Sequence, residues 1–170
     1  LDAHAHGWSR DRKVGSLSYC AREVDAARER WERALALGRE DEATALQSGA
    51  MPDLVRLFGA GSAEFSDGLC AGGRIALARG DAASANDQAA RALALLQSLD
   101  VASVPIETQC HALRANALLA LQRHEEALVE ATRAVERLQT ANPEAKARLA
   151  ALLLLRSRIE RASGDIDGAM

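Results

Sequence analysis

Aromatic residues are nearly missing from this 170-residue chain: two Trp, one Tyr and two Phe make up 3 % of it. A core without large rings must be filled by small and aliphatic side chains. Here Ala and Arg, both good helix formers, dominate, which argues for closely packed helices. Lysine is just as scarce, with only Lys13 and Lys146 among 21 basic residues. Set against 24 acidic residues they leave a net charge of −3, too little for a strong field that would hold nucleic acid or an anionic membrane. Cys20, Cys70 and Cys110 form no Cys-x-x-Cys pair, and their odd number cannot pair completely within one chain. Buried free thiols in a reducing compartment are the expectation. Long apolar runs are missing too. Leu149 to Leu155, bracketed by Arg148 and Arg156, is far too short to span a bilayer. No stretch alternates as a strand would, and no signal peptide is visible. The chain starts at Leu1 and ends within a repeat at Met170, so it reads as a piece of a longer protein.

What is present is a period. Ala43, Ala85, Ala127 and Ala169 stand 42 residues apart, each five residues after a turn-like position at Gly38, Gly80, Gln122 and Gly164. A fixed period of this size marks stacked units that bury their apolar faces against their neighbours. Within each unit a helix A precedes the turn and a helix B follows it. The spacing predicts A helices over 18–37, 63–79, 105–121 and 143–162, and B helices over 40–58, 82–99 and 124–140. Ser62, Asp81 and Ser103 stand where helix starts need caps, and Asn142-Pro143-Glu144 carries the fullest start signal. The stripe Ala85, Ala89, Ala92, Leu93, Leu96 recurs one period later as Ala127, Ala131, Ala134, Val135, Leu138. Pro52 is expected to kink or split the first B helix near Gly49. The fold is therefore read as all-α. Residues 1–16 are a lead-in or the remnant of a preceding repeat, and residues 17–170 are the repeat domain, with units at 17–58, 59–100, 101–142 and 143–170.

Small residues at Gly73 and Ala115, seven before the turns at Gly80 and Gln122, join Ala85 with Ala92 and Ala127 with Ala134 in a pattern that resembles the tetratricopeptide repeat family. The resemblance covers residue 20 to the end. The chain departs from it in its longer period, which lies in the range of armadillo and HEAT repeats. It departs again at Trp31, where the family prefers a small residue. An unrelated helical solenoid is the second reading. The resemblance implies antiparallel helix pairs stacked as a right-handed α-solenoid, with the A helices lining a concave groove. Arg28, Glu32, Asp67, Arg74, Gln109, Asn116 and Arg158 would then line it, as would Cys70, Ala112 and Leu154. A protein or peptide would be the partner. Of the lysine- and asparagine-based clamp found in chaperone-binding members, only Asn116 has a counterpart, so co-chaperone function is not expected.

Other motifs lead nowhere. His4-Ala5-His6 has the spacing with which several metallohydrolases begin a metal site. It needs a strand and further ligands, and His111 and His124 are the only other histidines. Gly59-Ala60-Gly61 follows a helix, not a strand, so it is a helix stop and not a dinucleotide loop. No catalytic residues, metal or cofactor are assigned. The reading is a non-catalytic interaction scaffold. By resemblance it is the regulatory or sensor region of a larger bacterial signalling protein, of the kind that precedes diguanylate cyclase or helix-turn-helix output domains. A structural adaptor without a switching role is the alternative. A cytoplasmic location is expected, or a periplasmic one if a leader precedes the chain. Nucleic acid and membrane are not expected partners of this segment. Helix 143–162 carries Leu149, Leu152, Leu153, Leu155 and Ile159 with no complete partner helix after it, so homo-association through the C-terminal helix is a further expectation.

Overall fold

The computed structural model describes Arg22 and residues 25–99 and 103–164. Among the described residues every regular element is a helix. α1 covers 25–36. It is followed by α2 (Glu40–Phe58), α3 (Ala63–Ala78), α4 (Ala82–Gln97), α5 (Val104–Ala120), α6 (His124–Ala141) and α7 (Lys146–Ser163). Residues 1–16, with His4 and His6, lie outside the described part, as do Cys20 and Ala169. The chain divides into two compact units, Leu1–Ala60 and Gly61–Met170.

In the first unit α1 buries Trp31 and Ala34, and α2 buries Ala43, Gln47, Ala50 and Leu54. The expected split at Pro52 does not occur, since α2 runs through it to Phe58. Pro52 and Ser48, whose carbonyl loses its donor to the proline ring, are both exposed, so water can serve that carbonyl. Trp31 is only 2 % exposed, and its indole N–H has no partner among the described residues.

In the second unit each helix packs on elements one or two places along the chain. α3 touches α4 and α5, α4 touches α5, α5 touches α6 and α7, and α6 touches α7. The turns behind this are nearly identical. Gly38, Gly80, Gln122 and Gly164 all have positive φ, at 69, 82, 59 and 81°. In the first three the next amide closes on the carbonyl five residues back: Arg39 on Ala34, Asp81 on Ala76 and Arg123 on Leu118, each at 2.9 Å. This closure needs a left-handed residue after the helix. Glycine meets that demand without strain, while Gln122 meets it at a cost of about 1 kcal/mol. A single residue then separates the turn from the next helix, so two helices are joined with almost no slack.

Close approach explains the small residues. Ala85, Ala89, Ala92, Ala127, Ala131 and Ala134 are all fully buried, at 0 % exposure. A Cβ placed on Gly73 would come within 2.7 Å of Leu113 Cδ2 and 3.2 Å of the Ala85 carbonyl oxygen. Trp31 stands one period before Gly73, so the first unit must pack that position differently. Replacing Ala85 or Ala127 with Leu overfills these contacts and should cost roughly 1–3 kcal/mol, read from urea unfolding. Unchanged midpoints in both variants would show that the alanines are not contact residues.

One start signal misleads. α7 begins at Lys146 with Ala145 as its N-cap, not at Asn142-Pro143. The Asn142 amide still closes on the Leu138 carbonyl at 2.8 Å, so Asn142 ends α6. Its own carbonyl accepts from Ala145 at 3.1 Å, and Pro143 and Glu144 are spent on the turn between.

Candidate functional site

A cleft of about 450 Å³ lies between α3 and α5. Its polar residues are Arg74, Gln109 and Asn116, and Leu77, Ala112 and Leu113 are among its apolar ones. The three polar residues come from successive A helices, at positions the repeat register assigns to one surface. The Arg158 guanidinium of α7 donates to Asn116 Oδ1, and Asn116 Nδ2 donates to the Ala112 carbonyl at 2.9 Å. Arg158 and Asn116 are one period apart, so this bond joins like positions of α5 and α7. The carboxamide is thereby locked, with its oxygen and nitrogen both engaged. The surface thus combines the Arg74 guanidinium, the Gln109 carboxamide, the engaged Asn116 carboxamide and apolar side chains.

The remaining predicted site residues are placed otherwise. Arg28 is exposed and Glu32 half-buried on α1 of the first unit. Asp67 is only 8 % exposed, so it contributes to the interior of α3 more than to an open surface. Leu154 is 69 % exposed on α7, and Leu153 is 37 % exposed. By contrast Leu152, Leu155 and Ile159 are buried, Leu155 and Ile159 against Ala115, Leu118, Ala127 and Ala131, and Leu152 against Ala134, Val135 and Leu138.

Cys70 is not a groove residue and not a free thiol. It is disulfide-bonded to Cys110, with the two Cα atoms 5.7 Å apart. Both cysteines are buried, at 3 % and 0 % exposure. The bond ties α3 to α5 beside the cleft: Arg74 follows Cys70 by one turn, and Gln109 precedes Cys110. One period later the same two positions hold Ala112 and Leu152, which pack in a common apolar cluster. The disulfide thus occupies a routine contact between successive A helices, and geometry alone brings the sulfurs together.

A buried polar cluster went unread in the sequence. Glu130 Oε2 lies 2.6 Å from His111 Nδ1, and Glu130 Oε1 accepts from Arg114 and from Arg133 at 3.1 Å each. Arg114 also reaches Asn86 on α4 at 3.3 Å. The Glu130 side chain is 5 % exposed. Burial pushes its carboxyl up, but the His111 hydrogen bond and the charges of His111, Arg114 and Arg133 together hold it below the ordinary range. The ionised carboxylate therefore accepts, and His111 Nδ1 carries the proton. A second pair, Arg137 with Glu107, joins α6 to α5. One period earlier these four positions hold Leu69, Gln88, Phe65 and Leu95. A comparison of the repeats column by column would have exposed the exchange.

Among the described residues no three His, Cys, Asp or Glu side chains are grouped to hold a metal, and no helix is long and apolar enough to cross a membrane. Comparison with protein-family models, curated proteins and solved structures finds no match for this chain.

Proposed function

We propose that this chain is a non-catalytic protein-interaction scaffold, a tetratricopeptide-like stack of antiparallel helix pairs that holds an extended peptide along its A helices. The observation that carries the reading is that Arg74, Gln109 and Asn116, from two successive A helices, line one cleft, with Arg158 of the next bonded to Asn116. The neighbour-only packing of α3 to α7 and the recurring left-handed turns support the stack. The regulatory role in a bacterial signalling protein rests on the resemblance of the repeats. The adaptor reading has one observation of its own: the Cys70–Cys110 bond fixes two of the three helices of the binding face. A covalently fixed face suits a rigid adaptor better than a switch. The same bond favours an oxidising compartment over a reducing one.

The test begins with selection of binders from a displayed library of random dodecapeptides. Arg74→Glu and Arg158→Glu should each weaken a selected peptide by about tenfold or more, the value of a charge-assisted hydrogen bond. Arg91→Glu on α4, whose exposed side chain stands 4.0 Å from Asp87, should change little. Arg133 is unsuitable as a control because it serves Glu130. Equal losses in all three variants, or no selected binder, would place function elsewhere than on this face.

A further inference from the structure

A second cleft, of about 270 Å³, lies where α5 begins, α6 ends and α7 begins, and its wall includes Pro105, Thr108, Leu138, Ala141, Asn142 and Arg148. Three observations meet there. Thr108 is 7 % exposed, and its hydroxyl, closed to water, has no hydrogen-bond partner among the described residues. Native interiors rarely leave such a group unserved. A turn about χ1 exchanges its hydroxyl and methyl, and threonine in a helix uses two such rotamers.

The start of α7 is also electrostatically unbalanced. Its N-cap Ala145 supplies no side-chain hydrogen bond and its first turn holds no acid. α2 has Glu40, Asp41 and Glu42 at that place, and α6 has Glu125 and Glu126. α7 instead has Lys146 and Arg148, two cations at the positive end of a helix. Glu144 precedes them, but among the described residues no ion pair joins it to either cation. The Ala147 and Arg148 amides come before the first intrahelical bond, from Leu149 to Ala145, so they are donors without a helical acceptor. The rest of the wall is apolar at Val104, Pro105, Leu138 and Ala141 and polar at Gln109 and Asn142.

We infer that this cleft binds an organic monocarboxylate with a short branched aliphatic body. The carboxylate is held by the Arg148 guanidinium and amide at the start of α7 and accepts the Thr108 hydroxyl once a turn about χ1 brings it to the cleft, while the aliphatic part lies on Pro105, Leu138 and Ala141. The volume is at the small end for ligand sites and suits such a body. The same chemistry could come from a free acid or from the C-terminal residue of a peptide.

The probe is 4-methylpentanoate, titrated into the isotopically labelled protein and followed by amide shifts, with 4-methylpentanamide as the uncharged control. Saturable shifts around Thr108 and Arg148, and at least tenfold weaker binding of the amide, are expected. Arg148→Gln should weaken the acid about tenfold or more, and Thr108→Val two- to tenfold. Thr108→Val should leave the unfolding midpoint of the free protein unchanged or raised, because it removes an unserved hydroxyl. N-acetylleucine separates the sources: tighter binding than the free acid indicates a peptide terminus, and weaker binding a small acid. No saturable shift, equal binding of acid and amide, or full binding by Arg148→Gln and Thr108→Val would overturn the inference. So would a lowered midpoint in Thr108→Val.

Discussion

Breaking the Cys70–Cys110 bond should lower stability by about 4 kcal/mol, because the loop it closes is long, with the cysteines 40 residues apart. The loss arises in the unfolded chain, which regains the freedom that a covalent tie removes. Native packing should change little, since both sulfurs remain buried between α3 and α5. Cys20→Ser removes the third thiol, and urea unfolding is then compared with and without a phosphine reductant. Cys110→Ala in the same background should lose a similar amount and become indifferent to reductant. If the reduced and oxidised forms unfold at one midpoint, with thiol labelling proving reduction, the bond is not a stabilising part of the fold.

The next largest effect is expected at Glu130. Glu130→Ala leaves His111 and Arg114 facing each other in the α4–α5–α6 interior without their common acceptor, at a cost of about 3 kcal/mol. Arg133 is 55 % exposed and can turn to water, so it adds little to that figure. The double change His111→Leu with Glu130→Gln installs the residues found one period earlier, Leu69 and Gln88. It should recover most of the loss, because a buried charge cluster is often no more stabilising than apolar packing of similar volume. The pH dependence has a definite sign. The folded carboxyl titrates below the ordinary glutamate value of 4.5, so its contribution is complete above that value. It fades as the pH falls through the lower, folded value. The penalty of Glu130→Ala should therefore shrink on acidification. A penalty that grows in acid, or a single variant as stable as the parent at neutral pH, would sink the account.

Helix order and turn positions were legible because two hard constraints recur every 42 residues. A left-handed residue must end each A helix, and an alanine must stand where the helices nearly touch. Gln122 shows that the period carries more information than residue type, since the turn keeps its conformation without glycine. The start of α7 was misread because Asn-Pro-Glu suits both the corner of a turn and a helix start. Only the bond from the Asn142 amide back to Leu138 separates the two. Column arithmetic brought Arg74, Gln109, Asn116 and Arg158 to one surface. It did not foresee that Asp67 and Cys70 are buried, because a helix has no sharp border between an open face and the face it turns to a neighbouring helix. The disulfide was illegible for the same reason: its partners occupy different columns, and their proximity follows from how one helix leans on the next.

Cys70 and Cys110 also divide the chain into parts that carry load and a part that does not. Under tension applied at its two ends, force passes from α3 to α5 through the sulfur bridge. The 39 residues between them, with all of α4, are bypassed. The oxidised molecule is therefore shorter at full extension by about 140 Å, the reach of that many residues. α4 would stay folded or collapsed while α6 and α7 are drawn out, so the oxidation state of two atoms sets how far this chain can be stretched.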